Sequence, residues 1–150
     1  AGRDTAVCAG LPAPIGSTAV AGTTYTWSPS TGLASGTASS TTFTSTTPGT
    51  YTFTVTATTT ATGCTATDIV VVTVNGLPTA NAGADKSRVN CSGDSAQIGT
   101  ASVAGMTYAW SPATNLSSTT VAQPYAKPAS TTTYTLTVTD INNCVKSICR

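Results

Sequence analysis

Few side chains in this sequence could take part in chemistry. The 150 residues contain five carboxylates, all of them aspartate, six basic residues and no histidine. General acid–base catalysis near neutral pH usually needs a histidine or a carboxylate with a shifted pKa. No serine or threonine has such a base nearby in the sequence, and no glycine-rich phosphate loop is present. The sequence therefore predicts a protein that is not an enzyme and that binds no cofactor.

A metal site is not predicted either. Zinc sites are usually built from closely spaced cysteines and histidines, whereas this chain has no Cys-x-x-Cys motif and no histidine. Calcium takes six to eight oxygen ligands, commonly from several carboxylates. Asp85, Asp94 and Asp140 lie in the second half of the chain, but the first half lacks counterparts of Asp94 and Asp140.

The five cysteines are the residues with the clearest chemistry. Cys8 and Cys91 come early in two similar halves of the chain, and Cys64 and Cys144 come late. The simplest pairing joins Cys8 to Cys64 and Cys91 to Cys144. Each bridge would close a loop of about 55 residues and stabilise the fold by roughly 4 kcal/mol. Such bridges persist in oxidising compartments, so the sequence predicts an extracellular protein.

Cys149 is left over, because Ile69 holds the equivalent place in the first half. An odd cysteine in a secreted chain indicates a free thiol or a bridge to another molecule. Three alternatives follow. Cys149 is a buried free thiol, or it bonds a second subunit, or it pairs with Cys91 and leaves Cys144 free.

The two halves are copies of one module. Three segments recur 83 residues further along the chain, namely residues 15–16 at 98–99, 25–29 at 108–112, and 50–56 at 133–139. This duplication predicts two domains, residues 1–75 and 76–150, joined by a short turn-forming segment. Each domain is near the size at which a hydrophobic core alone is marginal, so additional cross-links are expected.

The module carries the pattern of β-structure. Apolar and polar residues alternate strictly in residues 51–56 and again in 134–139, a period of two that is typical of a half-buried strand. Glycine and proline mark turns between short segments, and no segment has a helical period. The predicted fold is all-β, two tandem antiparallel Ig-like β-sandwiches with almost no helix. Trp27 and Trp110 are the predicted core anchors, one in each sandwich.

Composition restricts the partners. Charged residues make up only 7% of the chain and the net charge is +1, so nucleic acid and anionic membranes are not predicted as partners. No apolar run approaches the roughly 20 residues that a transmembrane helix needs, so membrane insertion is not predicted. The 35 threonines and 16 serines indicate a surface hydrated by hydroxyl groups, and threonine also favours strands.

The ordered motifs resemble the tandem Ig-like or PKD-like repeats of large surface and secreted proteins of the Bacteroidota, which are associated with gliding motility and type IX secretion. The resemblance rests on Ala-Gly-x-Asp, an early Cys, Ile-Gly, Tyr-x-Trp-Ser-Pro, Thr-Tyr-Thr-x-Thr-Val-Thr and a late Cys, and it covers essentially the whole chain twice. The chain lacks the Trp-x-Phe-Gly-Asp-Gly signature of typical PKD domains. The resemblance implies a spacer, stalk, adhesin or filament element on the cell surface, without catalysis.

The same resemblance implies a glycan modification. Bacteria of this group modify serine or threonine between an aspartate and a small aliphatic residue. Thr5 and Ser95 stand in this context and are the candidates for O-glycosylation. Alternatively, both segments are ordinary turns, which Asp and Ser favour.

The repeats differ where they end, and this difference bears on assembly. Ten residues follow Cys64 before the first module ends, whereas six follow Cys144. Either the chain is cut from a longer array, or a neighbouring chain supplies the missing strand. An incomplete sheet exposes an unpaired edge, and head-to-tail addition that does not close produces a filament.

The sequence therefore predicts a non-catalytic structural subunit of a bacterial extracellular filament, stalk or surface layer, assembled end to end into a homopolymer by chain-end or edge-strand contacts. The alternatives are an adhesin or carbohydrate-binding repeat, or a passive spacer in a large secreted protein. Exposed aromatic residues forming a platform would favour carbohydrate binding. Phe43 and Tyr125 are the two aromatics that fall outside the predicted strands.

Overall fold

The protein is built from short β-strands. The computed structural model describes residues 1–87 and 94–149, and no helix occurs within them. The strands are β1 Thr5–Cys8, β2 Ala13–Gly16, β3 Thr23–Ser28, β4 Ser40–Phe43, β5 Gly49–Thr59, β6 Thr65–Asn75, β7 Ala96–Gln97, β8 Thr107–Ser111, β9 Tyr125–Ala126, β10 Thr135–Thr139 and β11 Val145–Cys149. The predicted all-β fold is confirmed. Its physical basis is the density of β-branched residues with a period of two.

The chain divides into two compact units, unit 1 from Ala1 to Gly76 and unit 2 from Leu77 to Arg150. In unit 1 a four-stranded sheet has the order β1-β6-β5-β3, and β2 pairs with β4 in a second sheet. All of these pairs are antiparallel except β1 with β6, which is parallel. The core lies between the two sheets, with Trp27, Phe43, Phe53 and three alternate valines of β6 packed together.

Alternation along the longest strands builds this core. Phe53 and Val55 of β5 are buried, whereas the threonines beside them are not. In β6 three alternate valines are almost fully buried: Val70, Val72 and Val74. Because successive side chains point to opposite faces of a sheet, each of these strands gives one face to the core.

Unit 2 repeats the plan with fewer paired residues. Strands β11, β10 and β8 form an antiparallel three-stranded sheet, and β7 pairs with β9. The buried cluster consists of Ala82, Trp110, Ala126, Tyr134, Leu136 and Val138. No residue of β11 belongs to the buried class.

The two tryptophans lie in equivalent core positions. Trp27 and Trp110 are 3% and 4% exposed, and each ring donates its Nε1–H to a backbone carbonyl eleven residues further along, Ala38 at 2.8 Å and Val121 at 3.0 Å. Both β3 and β8 end directly before a proline, which cannot donate to a strand ladder. The tryptophan side chains are thus both buried and hydrogen-bonded.

The strand register corrects the sequence alignment of the repeats. A constant offset of 83 would match Tyr134 to Tyr51. Trp27 lies opposite Val55, however, and Trp110 lies opposite Leu136, so Leu136 takes the place of Val55. Tyr134 therefore takes the place of Phe53, two residues away from its match in sequence. A shift of two keeps every side chain on its face of the sheet, which is why the pattern alone does not reveal it.

Candidate functional site

The cysteines do not pair as predicted. Cys8 is disulfide-bonded, whereas Cys64 is free and exposed. The reason is the register of β1 on β6, which places Cys8 opposite Asn75 while Cys64 directly precedes Thr65. Ten residue steps of an extended strand separate those positions by about 33 Å. A disulfide needs Cα atoms within about 7 Å, so the predicted Cys8–Cys64 bridge is wrong.

In unit 2, Cys144 is disulfide-bonded and fully buried, and Cys149 is free and exposed. These states contradict the alternative in which Cys149 pairs with Cys91 and leaves Cys144 free, and also the alternative of a buried Cys149. Cys91 lies outside the described residues. The predicted Cys91–Cys144 bridge is nevertheless wrong, because Cys64 and Cys149 are free and that bridge would leave the bonded Cys8 without a partner among the five cysteines. A bridge from Cys149 to another subunit also stays a prediction. The presence of a disulfide fits an oxidising, extracellular setting.

Cys64 and Cys144 occupy the same place in equivalent hairpins. In unit 1 the Cys64 carbonyl accepts the N–H of Thr59, the last residue of β5, at 2.9 Å. In unit 2 the Cys144 carbonyl accepts the N–H of Asp140, the residue after β10, at 3.0 Å. The unit 2 turn is held more firmly, because the Asp140 carboxylate accepts the N–H groups of Asn142 and Cys144, both at 2.8 Å. Cys64 and Cys144 therefore take equivalent places in their hairpins, but Cys64 is a free thiol and Cys144 is disulfide-bonded.

The outer edge of β6 is closed by carboxylates where β1 does not cover it. The Asp4 carboxylate accepts the N–H of Val71 at 2.8 Å. The Asp68 carboxylate accepts the N–H of Ile69 at 2.9 Å and pairs with the amino group of Ala1. The hydrogen bond from that amino group, followed by the one from Ile69, lowers the pKa of Asp68. Exposed strand edges pair readily with other chains, and such side chains block them.

The corresponding edge in unit 2 is open in the described part of the chain. Strand β11 pairs with β10 on one side, and none of the described strands pairs with its other side. Thr65 and Val145 are equivalent, since they face Thr58 and Thr139 in the two hairpins. The counterparts of Val70, Val72 and Val74 consequently fall beyond Cys149, outside the described residues.

Most aromatic residues in the described part of the chain are buried or packed against a core cluster. Phe43 is 3% exposed and packs its ring against Tyr51 and Phe53, with centroids 4.7 and 4.8 Å apart. Of the aromatics in the described residues, only Tyr125 belongs to the exposed class, at 52%. A cavity of about 280 Å³ lies against Phe43, Tyr51 and Phe53 in unit 1. In unit 2 the Tyr134 hydroxyl extends from the place of Phe53 to the Thr114 carbonyl at 3.0 Å.

The two candidate glycosylation sites lie in different surroundings. Thr5 is half-buried at the start of β1, and Ser95 is exposed directly before β7. Modification of either residue stays a prediction. Among the described residues, no group of three or more Asp, Glu, His or Cys side chains could hold a metal ion. The same residues include no helix with the length and hydropathy of a membrane span.

Comparison with known proteins gives similarities of fold. No family model and no curated protein matches the chain. A three-Ig fragment of titin is 14% identical with a TM-score of 0.46, and the match covers 98% of this chain and 61% of that one. Fibronectin(III)-like modules of Clostridium thermocellum CbhA are 18% identical with a TM-score of 0.39, covering 99% and 87%.

A third structure is Bacteroides ovatus SGBP-B, solved with a mixed-linkage heptasaccharide. It is 16% identical with a TM-score of 0.38, and the match covers 96% of this chain and 40% of that one. The similarities are thus to Ig-like and fibronectin(III)-like modules, and identities this low extend to the fold alone.

Proposed function

We propose that this protein is a non-catalytic structural subunit of an extracellular bacterial filament, stalk or surface layer. Copies join end to end, and the open edge of β11 accepts a β-strand from a second copy. The polymer is a homopolymer of this chain. Its role is mechanical.

The difference between β6 and β11 carries the proposal. In unit 1, β6 runs for eleven residues, buries Val70, Val72 and Val74, and pairs with β1 along its last four residues. In unit 2, none of the described strands covers the outer edge of β11, and no residue of β11 is buried. A strand added beside β11 gives its outer edge the backbone partners that β1, Asp4 and Asp68 give to β6, which is how β-strand addition works in other assemblies.

Charge repulsion between copies is small. The low charge of the chain, 7% of residues, opposes such contacts only weakly.

Ser147 offers a way to block the edge without disturbing the sheet. Facing residues in an antiparallel pair alternate between hydrogen-bonded and non-hydrogen-bonded positions. Asp140 donates its N–H to the Cys144 carbonyl, so counting along the hairpin places Ser147 in a non-hydrogen-bonded pair with Thr137. The Ser147 N–H therefore points away from β10, just as the Val71 N–H points away from β5 to meet Asp4.

The test compares wild type, Ser147→Pro and Ser147→Ala by negative-stain electron microscopy. Proline is tolerated on an edge strand where its nitrogen faces outward, and it removes the donor that an added strand needs. Ser147→Ala is the matched control, because it loses the 2.9 Å contact to the Thr137 hydroxyl but keeps the N–H. We expect regular fibres from wild type and Ser147→Ala, and dispersed particles from Ser147→Pro.

Hydrogen–deuterium exchange on the wild-type chain provides a second measurement that does not depend on the folding of a variant. The amide of Ser147 should exchange quickly in dispersed protein and slowly in fibres. Folded wild-type protein that remains dispersed under all conditions would refute the filament. Fibres in which this amide exchanges as quickly as in dispersed protein would refute the role of the β11 edge.

A further inference from the structure

The aspartate caps on the outer edge of β6 reach back only as far as Ile69. The hydrogen bond from Thr59 to the Cys64 carbonyl closes the β5–β6 hairpin. Counting from it, Thr65 and Thr67 lie in non-hydrogen-bonded pairs with β5, so their N–H and C=O groups point outward. Strand β1 covers only the last four residues of β6, and no described residue bonds to those outward groups. The beginning of β6 is therefore an open strand edge of unit 1.

This edge and the open edge of β11 differ from each other, and a filament needs such a difference. Two copies of the same edge that pair with each other use up both edges and give a closed dimer. When two different edges pair, each copy keeps one free edge of each kind, so addition continues without closing. Pairing of β11 in unit 2 with β6 in unit 1 of the next copy therefore produces an open-ended chain of copies.

The charges on the two edges are complementary in one antiparallel register. In an antiparallel pair, residues whose backbone groups point at each other form the hydrogen-bonded positions, so Ser147 of β11 can face Thr67 of β6. The neighbouring pair then places Lys146 directly opposite Asp68. The Asp68 side chain is 64% exposed and stays accessible beside its contact with the amino group of Ala1. Opposite charges in facing positions favour a pair of strands and fix their register.

The apolar side chains support the same register. It places Val145 opposite Ile69, and these two side chains are 48% and 57% exposed in the single chain. A shift of two residues in either direction would place Lys146 opposite Ala66 or the buried Val70 and would lose both favourable pairs. Of the three registers, one therefore covers exposed apolar surface and pairs the opposite charges.

We infer that β11 of one copy pairs antiparallel with residues 65–68 of β6 in the next copy, with Ser147 facing Thr67. The inference rests on the proposed filament and identifies the strand that its β11 edge accepts. The three-stranded sheet of unit 2 and the four-stranded sheet of unit 1 become one continuous sheet across the contact. The Asp68 carboxylate holds the N–H of Ile69 and ends the new ladder at that residue.

The test combines two variants that each block one edge. Thr67→Pro removes an outward donor of β6, as Ser147→Pro does for β11. Neither variant should form fibres alone. Mixed in equal amounts at the concentration at which wild type forms fibres, they should give a dimer of one copy of each, twice 14.9 kDa, and nothing larger. Native mass spectrometry with one variant labelled with nitrogen-15 identifies this dimer. Thr67→Ala keeps the N–H and is the matched control, which should form fibres as wild type does.

Fibres from Thr67→Pro alone, or a mixture that remains monomeric, would refute the contact. Hydrogen–deuterium exchange on the wild-type chain tests it without any variant, because the amide of Thr67 should exchange quickly in dispersed protein and slowly in fibres. Fibres that protect Ser147 but not Thr67 would refute the partner strand and leave the filament and its β11 edge intact. Wild-type protein that stays dispersed under all conditions would refute the filament and this contact together.

A charge reversal tests the register. Lys146→Asp places two carboxylates opposite each other and should raise the protein concentration needed for fibres by about two- to fivefold at low salt, with a smaller effect at high salt. Lys127→Asp is the matched control, because Lys127 is also exposed and its replacement changes the net charge equally at a distance from both edges in sequence. Equal concentrations for the two variants would refute the register that pairs Lys146 with Asp68.

Discussion

Replacing Tyr134 with phenylalanine tests the register that distinguishes the two units. Tyr134 is 5% exposed and donates its hydroxyl to the Thr114 carbonyl at 3.0 Å. Phe53 occupies the equivalent place in unit 1 without a hydroxyl. The substitution Tyr134→Phe therefore makes unit 2 resemble unit 1 at this place and leaves the aromatic ring where it was.

The expected cost follows from the lost hydrogen bond. A buried hydrogen bond between neutral groups contributes about 1 kcal/mol, and leaving its acceptor without a partner adds to that figure. For a unit of this size a change of 1 kcal/mol lowers the melting temperature by about 4–8 °C. We expect Tyr134→Phe to destabilise unit 2 by about 1–2 kcal/mol. Tyr125→Phe alters an exposed side chain and should change the stability by less than about 0.5 kcal/mol.

Alkaline pH gives an independent signature of the same hydroxyl. Burial raises the pKa of Tyr134 above its ordinary value of 10.0. A folded-state pKa above the unfolded one means that the neutral phenol is favoured by folding. The stability that the neutral Tyr134 phenol contributes is complete below pH 10 and is lost as the pH rises through the folded-state pKa of Tyr134. Tyr134→Phe should remove this part of the alkaline destabilisation of unit 2.

Hydrogen–deuterium exchange resolved by peptide is the suitable assay, because it reports on each unit separately within the intact chain. Protection of β10 amides should fall in Tyr134→Phe at pH 7, whereas protection of β5 amides should not change. If β10 keeps its protection, or if the alkaline loss in unit 2 persists unchanged in the variant, the Tyr134 hydroxyl does not have the role assigned to it here.

Two further predictions concern the backbone and the surface. Gly99→Ala should destabilise unit 2 by several kcal/mol in denaturant unfolding, because the φ of Gly99 is +84° and a Cβ atom there would collide with the Ala122 carbonyl. Gly10→Ala is the control. The φ of Gly10 is similar, +87°, but a Cβ atom there would meet nothing within 4 Å, so this substitution should cost only about 1 kcal/mol. Intact mass spectrometry of natively produced protein should show glycan mass that Thr5→Ala and Ser95→Ala each reduce; native protein at its unmodified mass would contradict both sites.

Several features of the fold could be predicted from the sequence because they depend on local patterns. Strict alternation in residues 51–56 predicts a half-buried strand, and β5 places Phe53 and Val55 in the core. Proline after each Trp-Ser pair predicts the ends of β3 and β8. Both predictions use the side-chain period of two or the missing proline donor, which act within a few residues.

The predictions that failed depend on distance and register. The Cys8–Cys64 pairing is the simplest one by repeat position, but β1 runs parallel to β6 and the two cysteines lie at opposite ends of that strand. The sequence match of Tyr134 with Tyr51 is similarly out of register by two residues. Neither error changes the pattern of buried and exposed residues, so neither could be found from the pattern.

The amino-acid sequence by itself determined that the protein is a duplicated, hydroxyl-rich β-protein with few groups for catalysis, because composition and period are properties of the linear chain. Only the tertiary structure decided which cysteines are bonded, which strand edges are capped by aspartates and which edge remains open in the described part of unit 2. Those properties depend on which strands become neighbours and in which register. Neighbours are chosen by burial of apolar faces that lie far apart in the sequence.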